Sequence, residues 1–149
     1  MKKHIVDIVA SLLIVLFMYA AVSKLLDYDT FKLQLGKSPY LTAYAASIAW
    51  LVPVTELIIC IMLIVPPFRY VGFLASFFMM LLLTGYIYLM LYHSSYLPCS
   101  CGGILSRMSW EDHFYFNIVF TLLSLTGSLL VKQPNQRLAT IDKNQPISL

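Results

Sequence analysis

Two cysteines, Cys99 and Cys101, lie one residue apart in a polar stretch, HSSYLPCSCGGILSRMSW, that interrupts an otherwise apolar chain. Residues two apart reach the α-carbon separation of a disulfide, about 4.4–6.8 Å, only if the backbone bends. Pro98 before the pair and two glycines after it favour such a bend. So small a ring would be strained and easily reduced, which suits thiol–disulfide exchange better than a structural bridge.

Three chemical interpretations of this pair remain open. Exchange requires a thiolate, which His93, Arg107 and His113 would favour as nearby basic groups. Alternatively, the two thiolates and two imidazoles would suit copper(I) or zinc, although Cys-x-Cys is unlike the C-x2-C spacing of a zinc knuckle. The third interpretation is an inert pair. We expect redox exchange, with Cys99 and Cys101 as the catalytic residues and no metal site.

The composition of the chain is typical of a membrane protein. Of the 149 residues, 60% are hydrophobic and 11% are charged, whereas a soluble domain carries about 25% charged residues. The net charge of +3 is dispersed, so nothing indicates nucleic-acid binding. The chain also has no Gly-rich phosphate loop, Walker motif or HExxH helix.

Four apolar segments each approach the roughly 20 residues that cross a bilayer. They cover about residues 5–26, 41–65, 70–92 and 114–131. Because unpaired backbone groups are costly in lipid, these segments should be helices. The sequence therefore predicts an all-α integral membrane protein, a four-transmembrane-helix bundle within residues 1–131. The polar tail, 132–149, should be loosely ordered.

The connections between these segments differ in length. The sequence PPFR, Pro66 to Arg69, predicts a tight turn that makes a hairpin of the second and third helices. The stretch from Asp27 to Tyr40 is predicted to be a longer loop. The stretch from His93 to His113 is the longest internal connection, and it contains the cysteines.

The distribution of positive charges favours both termini in the cytoplasm. The inside then holds Lys2, Lys3, Arg69, Lys132, Arg137 and Lys143, and the outside holds Lys24, Lys32, Lys37 and Arg107. We therefore expect a multi-pass protein of the bacterial inner membrane, with a cytoplasmic tail and with the cysteines facing the periplasm.

Aromatic residues cluster towards the predicted outer end. They are Tyr28, Tyr40, Tyr44, Tyr86, Tyr88, Tyr92, Tyr96, Trp110 and Tyr115. One interpretation is an interfacial belt. The other is an aromatic-lined pocket for a lipid or a quinone, which is the one candidate cofactor.

Glu56 is the most costly residue of the predicted spans and should face the bundle interior. It would serve as a helix-locking hydrogen-bond partner or as a proton relay or ligand contact. The helical rise places Lys24 about 15 Å away in depth, which argues against a direct ion pair. Cys60 lies in the inner half of the same helix and is predicted to be a buried packing residue. Matching in depth gives four candidate neighbours of Glu56: Ser11, Ser76, Thr121 and Ser124.

Three stretches in this order resemble the MauE (methylamine utilisation protein) branch of the DoxX-like membrane family. They are SKLLDYDTF from Ser23, PVTELIICIMLI from Pro53, and CSCGGILSRMSWEDHFYFN from Cys99. They are similar to a Lys-Leu-x-Asp stretch after the first helix, a Pro-x-x-Glu in the second, and a Cys-x-Cys-x-Gly loop that leads to a Trp. One difference is Gly102, where a Phe is common in the family.

This resemblance implies a four-helix membrane bundle associated with thiol redox chemistry outside the cytoplasm. Members help a periplasmic thioredoxin-like partner with disulfide formation or electron supply. That role would fall on Cys99 and Cys101. Lys24 and Glu56 match recurring polar positions that have no assigned chemistry.

Two hypotheses follow for the function. In the first, the chain exchanges electrons or disulfides with a thioredoxin-like protein, which must be another chain because the cysteine loop is too short to fold alone. Since Cys60 is the one other cysteine, the final electron acceptor would be a quinone or the partner itself. In the second, the chain is a non-enzymatic scaffold whose cysteines are structural or bind copper or zinc.

Overall fold

The computed structural model describes residues 1–38, 40–93 and 109–131, without the side chains of Lys2 and Trp110. The described part of the chain forms α-helices with short 3-10 turns and contains no strand. The α-helices are α1 (Lys2–Leu26), α2 (Tyr28–Lys37), α3 (Ala45–Ile64), α4 (Arg69–His93) and α5 (Trp110–Leu130). The predictions for Cys99, Cys101 and Arg107 lie outside the described residues.

Four helical stretches are long and apolar enough to cross a membrane. They are Lys3–Leu26, Thr42–Ile64, Pro66–His93 and Glu111–Leu130. The prediction of an all-α protein with four membrane-spanning helices is therefore confirmed. Many large apolar side chains on these helices are exposed on the outer surface of the bundle, as expected for a surface that contacts lipid.

The last helix begins four residues earlier than the sequence predicted. Ser109 is its N-cap, and the Ser109 hydroxyl accepts a hydrogen bond from the backbone N–H of Asp112 at 3.1 Å. Glu111 and Asp112 in the first turn also match the positive end of the helix dipole. These polar residues therefore extend α5 beyond the apolar segment.

The prediction of a loop between Asp27 and Tyr40 was wrong, because most of this stretch is α2. Tyr28, Phe31 and Leu35 share one face of α2 and pack around Ala45 and Ala49 of α3. This i, i+3, i+7 spacing is typical of an amphipathic helix. Polar residues between these positions lower the mean hydropathy of the stretch. A search for long apolar segments therefore did not find this helix.

The helices alternate in direction, so their ends fall into two groups. One end, which we call the loop end, contains α2. It also contains the last turns of α1 and α4 and the first turns of α3 and α5. There the hydroxyl of Tyr40 donates to the backbone oxygen of His93 at 3.4 Å. At the opposite end a 3-10 turn, Pro66–Phe68, joins α3 to α4, which confirms the predicted hairpin.

The opposite end of the bundle is densely packed. Its core includes Leu13 of α1, Leu63 of α3 and Phe73 of α4, all fully buried. A Cβ atom added to Gly127 of α5 would overlap the Phe73 ring. Glycine is therefore required where α5 passes this ring.

Candidate functional site

Lys24 of α1 and Glu56 of α3 form a direct ion pair near the loop end. The Lys24 Nζ donates to the Glu56 Oε1 at 2.8 Å, and the two side chains are 13% and 1% exposed. The expectation that these residues lie too far apart in depth was therefore wrong. The pair joins two polar residues that the sequence analysis had singled out separately.

The position of α2 explains why the depth estimate failed. The estimate assumed that α1 and α3 have neighbouring ends at one level, but the ring of Tyr28 lies 5.8 Å from that of Trp50. Trp50 lies more than one turn inside α3, which begins at Ala45. This contact brings the end of α1 nearer to the depth of Glu56 than the estimate assumed, and the two long side chains span the remaining difference.

Three helices contribute to the surroundings of the Lys24 ammonium group. Besides Glu56, it donates to the backbone oxygen of Ala20 in α1 at 3.4 Å. It also lies 5.9 Å from the centre of the Phe31 ring in α2, within the range of a cation–π interaction. The ammonium is therefore partly compensated from several sides rather than by the carboxylate alone.

One oxygen of the Glu56 carboxylate remains unsatisfied. Among the described residues, none donates a hydrogen bond to Oε2, although this atom is buried. Buried polar atoms almost always have a partner, and those that lack one need an explanation. Oε2 is thus an acceptor that a donor from outside the described residues would stabilise.

The four hydroxyl residues predicted as neighbours of Glu56 bond within their own helices instead. Ser11 donates to Asp7 O, Ser76 to Gly72 O, Thr121 to Asn117 O and Ser124 to Thr121 O. Backbone carbonyls of the preceding turn therefore satisfy these hydroxyls. None of these bonds involves the carboxylate.

Lys24 and Glu56 lie in the wall of a cavity of about 430 Å³. All five α-helices contribute to its lining, which is mostly leucine, isoleucine, methionine and phenylalanine. Sites for drug-sized molecules have volumes of about 300–1,000 Å³ and combine an apolar wall with a few polar groups. The size and lining of this cavity are those of a binding site.

Additional polar side chains line the loop end of this cavity. His113 and Asn117 come from α5, and Tyr86 comes from α4. The structure thus brings together three sequence-predicted candidates, Lys24, Glu56 and His113. Asn117 and Phe31 were missed because neither is charged or a cysteine, although each is the last residue of a stretch that carries the family resemblance. Their helical spacing from His113 and Tyr28 was the available signal.

Among the other predicted candidates, His93 is described by the structure and does not line this cavity. His93 is exposed at the last turn of α4, with its ring 6.2 Å from that of Tyr88. Trp110 is the first residue of α5, but its side chain is outside the described set, as are Cys99, Cys101 and Arg107. Within the described ranges, no three His, Cys, Asp or Glu side chains are placed to hold a metal ion.

The aromatic residues near the loop end separate into two groups. Tyr44, Tyr92 and Tyr115 are 68%, 67% and 65% exposed, as an interfacial belt requires. Tyr86 instead lines the cavity. The exposed tyrosines therefore fit the belt interpretation, and the interpretation as a lipid or quinone pocket stays a prediction.

Cys60 is a buried packing residue, as predicted. Its side chain is free and 1% exposed. The thiol donates a weak hydrogen bond to the backbone oxygen of Ile14 at 3.6 Å. Cys60 thus links α3 to α1 on the side of Glu56 away from the loop end.

These features define a multi-pass helical membrane protein with a buried ion pair in the wall of an interhelical cavity. The sequence matches the family model of the methylamine utilisation protein MauE over residues 2–130. The chain therefore belongs to the MauE family of membrane proteins. No curated protein and no solved structure matches it significantly.

Proposed function

We propose that the chain is a membrane thiol–disulfide redox protein that uses Cys99 and Cys101. The observation that carries this proposal is a Cys-Ser-Cys motif in the connection between two membrane-spanning helices of a MauE family member. Cys99 follows His93 by six residues, so it lies within about 20 Å of the end of α4 along an extended chain. The sulfurs are thus tethered to the loop end.

The reaction is a two-electron exchange. A thiolate of the partner attacks one sulfur of the Cys99–Cys101 disulfide, forms a mixed disulfide and releases the other cysteine as a thiolate. The second partner thiolate then resolves the mixed disulfide. The partner becomes a disulfide, and Cys99 and Cys101 gain two electrons and two protons; the reverse sequence reduces a partner disulfide.

The partner is a thioredoxin-like protein of the periplasm. This assignment requires the loop end to face outwards, with both termini and the tail, 132–149, in the cytoplasm. The charge bias supports this orientation. The buried ion pair strengthens the bias, because Lys24 is then not a flanking charge, leaving Lys32, Lys37 and Arg107 outside.

Trapping of mixed disulfides in cells tests the proposal. Acid quenching followed by non-reducing electrophoresis should show a partner complex whose abundance changes in Cys99→Ala and in Cys101→Ala. The complex should disappear in the double variant. Cys60→Ala is the matched control, since Cys60 is buried in α3, and it should leave the complex unchanged.

The opposite outcome would favour a non-enzymatic scaffold. In that case the double variant would retain full function and the same partner complexes. A metal-binding role would instead give stoichiometric copper or zinc that the double variant loses. Labelling of intact cells with an impermeant maleimide tests the orientation, and protection of both cysteines after mild reduction would contradict the external loop.

A further inference from the structure

The cavity beside Glu56 carries an inference that does not depend on the cysteines. It combines about 430 Å³ of space and an apolar wall with a fully buried carboxylate. The Oε1 of this carboxylate is bonded to Lys24, and its Oε2 has no donor among the described residues. Glu56 thus brings a charged acceptor to the wall of a mainly apolar cavity, whose loop end also has Tyr86, His113 and Asn117.

The charges around the cavity limit the ligand chemistry. Lys24 and Glu56 compensate each other, so a cationic ligand would bring an unpaired charge into a region of low dielectric constant. A carboxylate ligand would be repelled by Oε2 and has no donor to offer it. A neutral group with a hydrogen-bond donor fits both conditions, and a hydroxyl is the smallest such group.

The position of the cavity indicates where the ligand comes from. Leu82 lines the cavity and is also 72% exposed on the outer face of α4. This residue belongs to a membrane-spanning stretch, so the cavity extends to the surface that contacts the acyl chains. A ligand that enters by this route must be soluble in the bilayer.

We propose that this cavity binds a neutral lipophilic molecule through a hydroxyl group that donates to Oε2 of Glu56. The apolar remainder of the molecule packs against Leu16, Phe17 and Leu83. Lys24 is a positioning residue, since it holds the carboxylate through Oε1 and leaves Oε2 without a donor among the described residues. A long-chain quinol and a diacylglycerol share this chemistry and are its two candidate sources.

Pairs of probes that differ by one donor test the proposal on the full chain in detergent. The probes are a decyl-substituted benzoquinol, its dimethyl ether, dioleoylglycerol and the O-methyl ether of dioleoylglycerol. A hydrogen bond to a charged acceptor contributes roughly 10- to 100-fold in affinity. At least one hydroxyl probe should therefore bind that much more tightly than its own ether, and the pair that shows the difference identifies the source.

Two variants separate specific binding from partition into the apolar bundle. The double substitution Lys24→Met with Glu56→Gln replaces the charged acceptor with a neutral one and should reduce the preference for the hydroxyl probe over its ether. Ala20→Leu reduces the cavity volume and should weaken both members of the pair. Ala46→Leu, at an exposed position of α3 that does not line the cavity, is the matched control and should bind like the unsubstituted protein.

Two results would overturn the proposal. One is equal affinity of the unsubstituted protein for both hydroxyl probes and their ethers. The other is an undiminished hydroxyl preference in the double variant at Lys24 and Glu56. Because Cys99→Ala with Cys101→Ala should bind as the unsubstituted protein does, failure of this proposal is distinguishable from failure of the redox proposal.

Discussion

The two ends of the bundle each have an ion pair between α1 and another helix, but in contrasting surroundings. At the loop end, Lys24 and Glu56 are almost fully buried beside a cavity. At the opposite end, Arg69 donates to Asp7 at 2.7 Å, and the two side chains are 27% and 45% exposed. Arg69 also donates to the backbone oxygen of Leu63 at 3.1 Å.

This difference separates a structural contact from a candidate binding site. The Asp7–Arg69 pair lies next to the dense core of the opposite end, and it connects the turn between α3 and α4 to α1. The Lys24–Glu56 pair lies where packing is incomplete and leaves a carboxylate oxygen without a partner among the described residues. A buried ion pair is by itself weak evidence for stability, and binding of the proposed ligand would explain its position.

Lys24→Met should have the largest effect on stability. It leaves the Glu56 carboxylate buried without its counter-charge, which costs about 3–5 kcal/mol in the free energy of unfolding. The double substitution Lys24→Met with Glu56→Gln should recover most of this loss. Denaturant titration in detergent measures both variants, and an equal loss in the two would contradict the assigned pairing.

Gly127→Val should destabilise the opposite end by about 1–3 kcal/mol, because overpacking of a dense core forces neighbours to move. The new side chain would overlap the fully buried Phe73 ring. Gly85→Val is the matched control, since a Cβ at Gly85 meets no atom within 4 Å. Similar unfolding midpoints for both variants would show that α4 and α5 pack less closely here.

Ala20→Leu adds bulk at the loop end and should have the opposite sign. Filling an existing cavity commonly stabilises a protein by about 0.5–2 kcal/mol. Ala20 lines the cavity, so the added carbons gain contacts without displacing a packed ring. Thermal unfolding of the detergent-solubilised protein measures the change, and a loss as large as that of Gly127→Val would indicate that the space is filled.

Asp7→Asn should have the smallest effect, a loss of about 0.2–1 kcal/mol, because solvent competes for an exposed ion pair. The loss should also shrink as the salt concentration rises, since exposed charges are screened. Unfolding at low and high salt tests this. A loss as large as that of Lys24→Met would remove the contrast between the two ends.

The parts of the fold that the sequence predicted are those that follow from apolar length alone. Four long segments with few charges specify four helices, and the proline pair specifies the turn at Pro66. The amphipathic helix α2 was missed because its apolar face is narrow and its mean hydropathy is low. The position of Cys60 in the inner half of α3 was predicted correctly, because it follows from the sequence of that helix alone.

The candidate site was less predictable because it depends on the relative depth of separate helices. Lys24 and Glu56 were each identified as unusual, but the distance between them is set by how α2 packs on α3. The cavity likewise arises where five helices fail to fill the space between them. Neither property is encoded in the spacing of residues within any one segment.

Asp27 alone separates α1 from α2, and its backbone is not helical, so this junction has no spare residue to absorb a change in chain length. Each residue of an α-helix advances the side-chain direction by about 100°. A single alanine inserted after Asp27 would therefore turn Phe31 and Leu35 away from α3 and remove one wall of the cavity. A stretch whose composition resembles a permissive linker is thus a place where chain length is strictly constrained.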